Sequence, residues 1–106
     1  MKSAHQVIKA QEFRLVDSKG RMRASLGLLK DGPVLVMFDA KGRTLLGLSA
    51  FKESPGLVLL DVKGTPRVSM GFDSKGAVME LYDASGRLMW SATKGIRRKK
   101  NRKRRW

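Results

Sequence analysis

The body of this chain is written four times over, with a period of 22 residues. The lines begin at Phe13, Leu35, Leu57 and Met79. They read FRLVDSKGRMRASLGLLKDGPV, LVMFDAKGRTLLGLSAFKESPG, LVLLDVKGTPRVSMGFDSKGAV and MELYDASGRLMWSATKG. Asp17, Asp39, Asp61 and Asp83 fall in register, as do Gly20, Gly42, Gly64 and Gly86. Arg21, Arg43 and Arg87 follow the glycine in three lines, and Thr65 takes that place in the third. Four copies without an insertion restrict the chain to an array of one small unit.

Each Asp-x-x-Gly has a local mechanism. Asp at the first position of a type I turn accepts a hydrogen bond from backbone N–H two residues on, and Gly at the fourth supplies positive φ without a Cβ clash. Such a turn joins the strands of a hairpin. The flanking runs are short and rich in Val, Leu, Phe, Met and Tyr, which reads as strand. A second turn follows each of the first three, at Lys30-Asp-Gly-Pro33, Lys52-Glu-Ser-Pro55 and Asp73-Ser-Lys-Gly76. The spacing therefore predicts an all-β fold: four β-hairpin repeats in an antiparallel meander of about eight short strands.

Side-chain size alternates in the strand after each Asp-x-x-Gly. One face carries Ala24 and Leu26, Leu46 and Leu48, Val68 and Met70, Trp90 and Ala92; the other carries Ser25 and Gly27, Gly47 and Ser49, Ser69 and Gly71, Ser91 and Thr93. The strands before the turns differ, since Val36-Met37-Phe38 and Val58-Leu59-Leu60 are apolar on both faces. Arg14 and Glu80 interrupt the outer copies. Continuous apolar runs expect cover on both sides. A small barrel, a sandwich, or a sheet whose outer face is covered by a second copy through the Ser/Gly row would each supply it. Self-association is favoured, because a domain this small is marginal alone. The expected organisation is an N-terminal segment or edge strand over 1–12, with Val7 and Ile8 beside Phe13, a repeat domain over 13–94 and a polybasic tail over 95–106.

Charge separates the last of these from the rest. Of 106 residues, 23 are Lys or Arg and 9 are Asp or Glu, for a net charge of +14. Lys94, Arg97, Arg98, Lys99, Lys100, Arg102, Lys103, Arg104 and Arg105 crowd the last 13 residues with no acid among them. Residues 1–93 hold the other 14 cations and all nine acids, a net +5. A run that dense repels itself and expects an anionic partner. Lys and Arg displace condensed counterions from nucleic acid, which supplies affinity without base specificity. Five of the nine cations are arginine, whose planar fork matches phosphate and stacks on bases. Trp106 either stacks on an unpaired base or caps an apolar patch. RNA is the favoured target, since arginine-rich segments that order on binding are common among RNA binders. Arg21, Arg43 and Arg87, with Lys19, Lys41 and Lys63 just ahead, should line one edge of the sheet. There they either track a phosphate backbone or protect the edge by charge.

The other classes find little footing. There is no cysteine, so disulfides and thiolate metal sites are excluded. No apolar run reaches the roughly 18 residues of a membrane span, and the first nine residues lack a signal-peptide core, so a cytoplasmic protein is expected. His5 is the one histidine, and Glu12 and Glu80 are the only acids not placed in turns, so no catalytic pair is evident. The turns lack the ligand spacing of a calcium loop, and no cofactor or metal is expected. Helix-turn-helix, zinc-finger and aromatic RNA-recognition signatures are missing. Leu81-Tyr82-Asp83-Ala84-Ser85-Gly86-Arg87-Leu88 resembles the tyrosine–aspartate hairpin repeats of large secreted shell proteins in its turn chemistry, which implies a hairpin and no function. The expectation is thus a non-enzymatic RNA-binding protein, ribosomal or ribosome-associated. The alternative is a self-associating assembly module tethered by its tail to a larger complex or anionic membrane. Duplex DNA and anionic lipid rank behind RNA as partners.

Overall fold

A computed structural model of the chain describes residues 5–52 and 54–92. Every element among them is a strand: β1 (Glu12–Val16), β2 (Met22–Leu29), β3 (Gly32–Phe38), β4 (Thr44–Phe51), β5 (Ser54–Leu60), β6 (Pro66–Asp73), β7 (Gly76–Tyr82) and β8 (Leu88–Ser91). They pair antiparallel in chain order to form one eight-stranded meander. The described residues ahead of β1, 5–11, contain no strand, and Val7 and Ile8 are exposed there, so they do not extend the edge. Only the Gln11 carbonyl, accepting from the Leu28 N–H at 3.3 Å, prolongs the β1–β2 pairing.

The four Asp-x-x-Gly turns are built alike. Gly20, Gly42, Gly64 and Gly86 donate their N–H to the carbonyl of the aspartate three residues back, at 2.9 to 3.0 Å, with φ between 81° and 88°. The aspartate N–H in turn donates to the carbonyl of Arg21, Arg43, Thr65 or Arg87. A left-handed glycine after a type I turn gives the hairpin its matching twist. The connections at the opposite rim are tighter: Leu29 pairs with Gly32, Phe51 with Ser54 and Asp73 with Gly76. Pro33 and Pro55 therefore lie inside β3 and β5, opposite Leu28 and Ala50, one residue beyond the turns that the sequence places them in.

Every Asp-x-x-Gly hairpin carries a bulge at one repeated position, after Leu15, Met37, Leu59 and Leu81. Val16 pairs with Met22 and Leu15 with Ala24, so Arg23 is skipped; by the same count Leu45, Arg67 and Met89 are skipped in the later copies. A bulge turns its extra residue out of the pleat and re-aims its side chain. All four lie near the Asp-x-x-Gly rim.

Register divides the side chains into two faces. One holds the row Phe13–Leu26–Leu35–Leu48–Leu57–Met70–Met79 and the row Leu15–Ala24–Met37–Leu46–Leu59–Val68–Leu81–Trp90. No polar side chain enters either row. The other holds Arg14–Ser25–Val36–Gly47–Val58–Ser69–Glu80–Ser91 and Glu12–Gly27–Val34–Ser49–Gly56–Gly71–Val78. The strands that read as apolar on both sides thus send Leu35, Met37, Leu57 and Leu59 one way and valine the other. Phe38 and Leu60 join the valine side at the Asp-x-x-Gly end.

The sheet is open and one layer thick. A barrel would need β8 beside β1, and a sandwich would need contacts between strands distant in the chain; among the described residues only consecutive strands touch. The bulges that could bend a strand into a corner all sit beside one rim, and none interrupts a strand at its middle. No apolar side chain among the described residues is buried.

Candidate nucleic-acid interface

The four Asp-x-x-Gly turns join β1 to β2, β3 to β4, β5 to β6 and β7 to β8, so they share one rim of the meander. Equivalent turns recur every second strand, about 10 Å apart. In each, the aspartate Oδ1 accepts two backbone N–H groups: from Lys19 and Arg21 at Asp17, Lys41 and Arg43 at Asp39, Lys63 and Thr65 at Asp61, Ser85 and Arg87 at Asp83, all at 2.9 to 3.0 Å. Those hydrogen bonds favour the ionised form. The N–H of the residue four positions on is the largest cause, and it holds each of the four carboxyls below the usual aspartate value.

The second carboxylate oxygen receives the arginine. Arg21 Nε lies 2.9 Å from Asp17 Oδ2 and Arg43 Nε 2.7 Å from Asp39 Oδ2. Arg87 Nε is 3.4 Å from Asp83 Oδ2, with its side chain 84% exposed, and it also donates to Ser85 Oγ at 3.2 Å. The structure thus brings Arg21, Arg43 and Arg87 to one rim and pairs each with the carboxylate of its own turn. Exposed pairs of this kind are weak, and a phosphate could take the carboxylate's place. None of the ion pairs among the described residues uses Lys19, Lys41 or Lys63.

Two further arginines belong to this rim, and the sequence reading passed over both. Arg23 donates through Nε to the Phe38 carbonyl at 3.2 Å, and Arg67 to the Tyr82 carbonyl at 2.9 Å. Each also lies 3.5 Å from its turn aspartate, Asp17 or Asp61. They are bulge residues, so each leaves the pleat and clasps the start of the next Asp-x-x-Gly turn. Arg67 thereby supplies the cation that Thr65 cannot. Their 44-residue spacing, with Leu45 and Met89 in the alternate copies, is the signal that could have found them. The rim in total sets eight Lys and Arg against four aspartates, while the described residues of the opposite rim set Lys30, Lys52 and Lys75 against Asp31 and Asp73.

The remaining carboxylates are engaged far apart. On β1, Glu12 is paired with Arg14 at 2.9 Å and accepts from Ser25 Oγ at 3.0 Å, and the Arg14 hydrogen bond is the main reason its carboxyl is held low. On β7, Glu80 accepts from the Tyr82 hydroxyl at 2.6 Å, which raises the phenol's pKa. His5 is exposed ahead of β1. Among the described residues no three His, Cys, Asp or Glu side chains gather at metal-binding distance, and no helix is long and apolar enough to cross a membrane. Lys94, Arg97, Arg98, Lys99, Lys100, Arg102, Lys103, Arg104, Arg105 and Trp106 lie outside the described residues. No protein-family model matches this chain, and no curated protein matches it significantly.

Proposed function

We propose that this protein is a non-enzymatic nucleic-acid-binding protein, with RNA as its preferred target. In this reading the segment from Lys94 to Trp106 neutralises phosphates and the basic rim provides a second, weaker contact. The observation that carries it is the run of nine cations in 13 residues with no acid. A polyelectrolyte contact of that density releases counterions on binding and needs no sequence-specific groove. The surplus of four cations at the Asp-x-x-Gly rim supports a sheet that meets the polyanion end-on. A cytoplasmic ribosomal or ribosome-associated place is part of the proposal, because a large ribonucleoprotein offers phosphates on several sides of a small subunit.

Affinity for a labelled single-stranded RNA, measured across a salt series, tests the reading. If about five phosphates are neutralised, log K against log[salt] should slope by roughly −3.5 to −4.5. Removal of residues 95–106 should abolish most of the affinity, and Arg21→Gln, Arg43→Gln and Arg87→Gln together should lower the remainder. Duplex DNA and acidic vesicles serve as competitors. An affinity indifferent to salt, or unaltered by removal of the segment, defeats the proposal. A second reading, the assembly module, is favoured by the uncovered apolar face.

A further inference from the structure

We infer that the protein works as a face-to-face pair, in which the leucine-rich face of one sheet packs on the same face of a second copy to make a two-layer sandwich. This goes beyond nucleic-acid binding and uses a different surface. The first ground is the lack of an internal apolar core among the described residues. Stable domains bury an apolar layer between two packed elements, yet Leu28 is 67% and Phe72 55% exposed, and no apolar side chain among the described residues is buried. The missing layer has to come from outside the described residues.

Area and chemistry identify the second copy. Seven inter-strand gaps of about 4.8 Å and five residues of about 3.4 Å give a face of roughly 34 by 17 Å, so two copies would bury on the order of 1,200 Å² in total, the lower end of what a stable dimer needs. The face carries no charge in its two rows, and the Trp90 indole N–H at one end is their one side-chain hydrogen-bonding group, so little on it selects a foreign partner. It is also periodic: every second strand presents the same profile, and a two-fold axis lying in the plane between the two sheets lays those ridges against their own image. The copy is always present at the concentration of the chain itself. The opposite face is a poor substitute, because covering it would remove Arg14, Glu12 and Glu80 from water.

The axis should pass near the middle strands, where Leu48 of β4 pairs with Leu57 of β5. The chain contains no cysteine, so an introduced thiol is unique. The full-length protein, treated with nuclease and held at high salt to strip polyanions, should sediment at twice the chain mass, with a melting midpoint that rises with concentration. Under mild oxidation Leu48→Cys should be trapped as a covalent dimer, while Ser49→Cys, on the opposite face, should stay single. A cooperatively folded monomer, a mass above two copies, or cross-linking of Ser49→Cys in preference to Leu48→Cys overturns the inference. Any of these leaves the RNA reading intact, since salt-dependent affinity is read separately.

Discussion

Leu48 and Ser49 are neighbours in the chain, and they belong to two surfaces that differ in size more than in polarity. Most one-sided sheets alternate apolar with charged or strongly polar residues. Here, over the middle of the central strands, large apolar side chains alternate with glycine, serine and valine. Bulkier residues (Leu29, Phe38, Phe51, Leu60) join the second face only at the strand ends, and charge is confined to the outer strands and the rims. A face of small residues tolerates water because it exposes little hydrocarbon. A face of leucine, methionine, phenylalanine and tryptophan does not. The consequence is that this sheet is amphipathic through the amount of apolar surface each side offers.

The largest expected effect comes from placing the same charge on each side. Leu48→Asp should cost more than about 4 kcal/mol if its face is buried against another copy, enough to unfold a domain of this size, whereas Ser49→Asp should cost under about 1 kcal/mol. Urea denaturation of the two variants reads the difference, and equal costs would erase the distinction between the faces. Next is the small face itself. A Cβ at Gly71 would lie 2.5 Å from the Pro55 carbonyl oxygen, so Gly71→Val should push β5 from β6 and lower stability by about 2 to 3 kcal/mol. If bulk is tolerated there, smallness is not what defines that side.

The turns keep the two sides apart, because a slip of one residue would exchange them. Gly42 holds φ at 82°, so Gly42→Ala should cost about 1 to 2 kcal/mol through the left-handed penalty alone, with no steric contact to add to it. Amide exchange should show the loss concentrated in β3 and β4. The smallest effect is expected in acid. The four turn aspartates have folded pKa values depressed below the ordinary 3.8, so their contribution is complete above that value and is lost as pH falls through the depressed ones. The melting midpoint should therefore be level down to about pH 5 and fall below about pH 4. Replacing the four with asparagine should flatten the fall, and an unchanged acid limb would remove the turns from the account.

Much of this was legible in the residues. Four Asp-x-x-Gly turns and the size alternation around Leu26, Leu48 and Met70 locate eight strands and one large-residue face, because turn chemistry and pleat parity are local. Whether the meander closes is not local: it depends on how twist and bend accumulate over eight strands, and the sequence left barrel, sandwich and covered sheet all open. Arg23 and Arg67 escaped notice since a bulge is visible only when two strands are set side by side. Arg21, Arg43 and Arg87 were found as a rim, but their return to Asp17, Asp39 and Asp83 follows from the path of a tight turn that spacing alone does not trace. Val7 and Ile8 misled because apolar residues near an edge need not pair with it.

Since each strand touches only the strands before and after it in the chain, nothing in the wiring fixes the number of hairpins at four. Duplication or loss of one 22-residue module would lengthen or shorten the ribbon without rerouting any connection, and every closure needed for folding spans a short loop. Such an architecture can grow by gene-segment copying in single steps, with the footprint of each ribbon set by how many copies it holds.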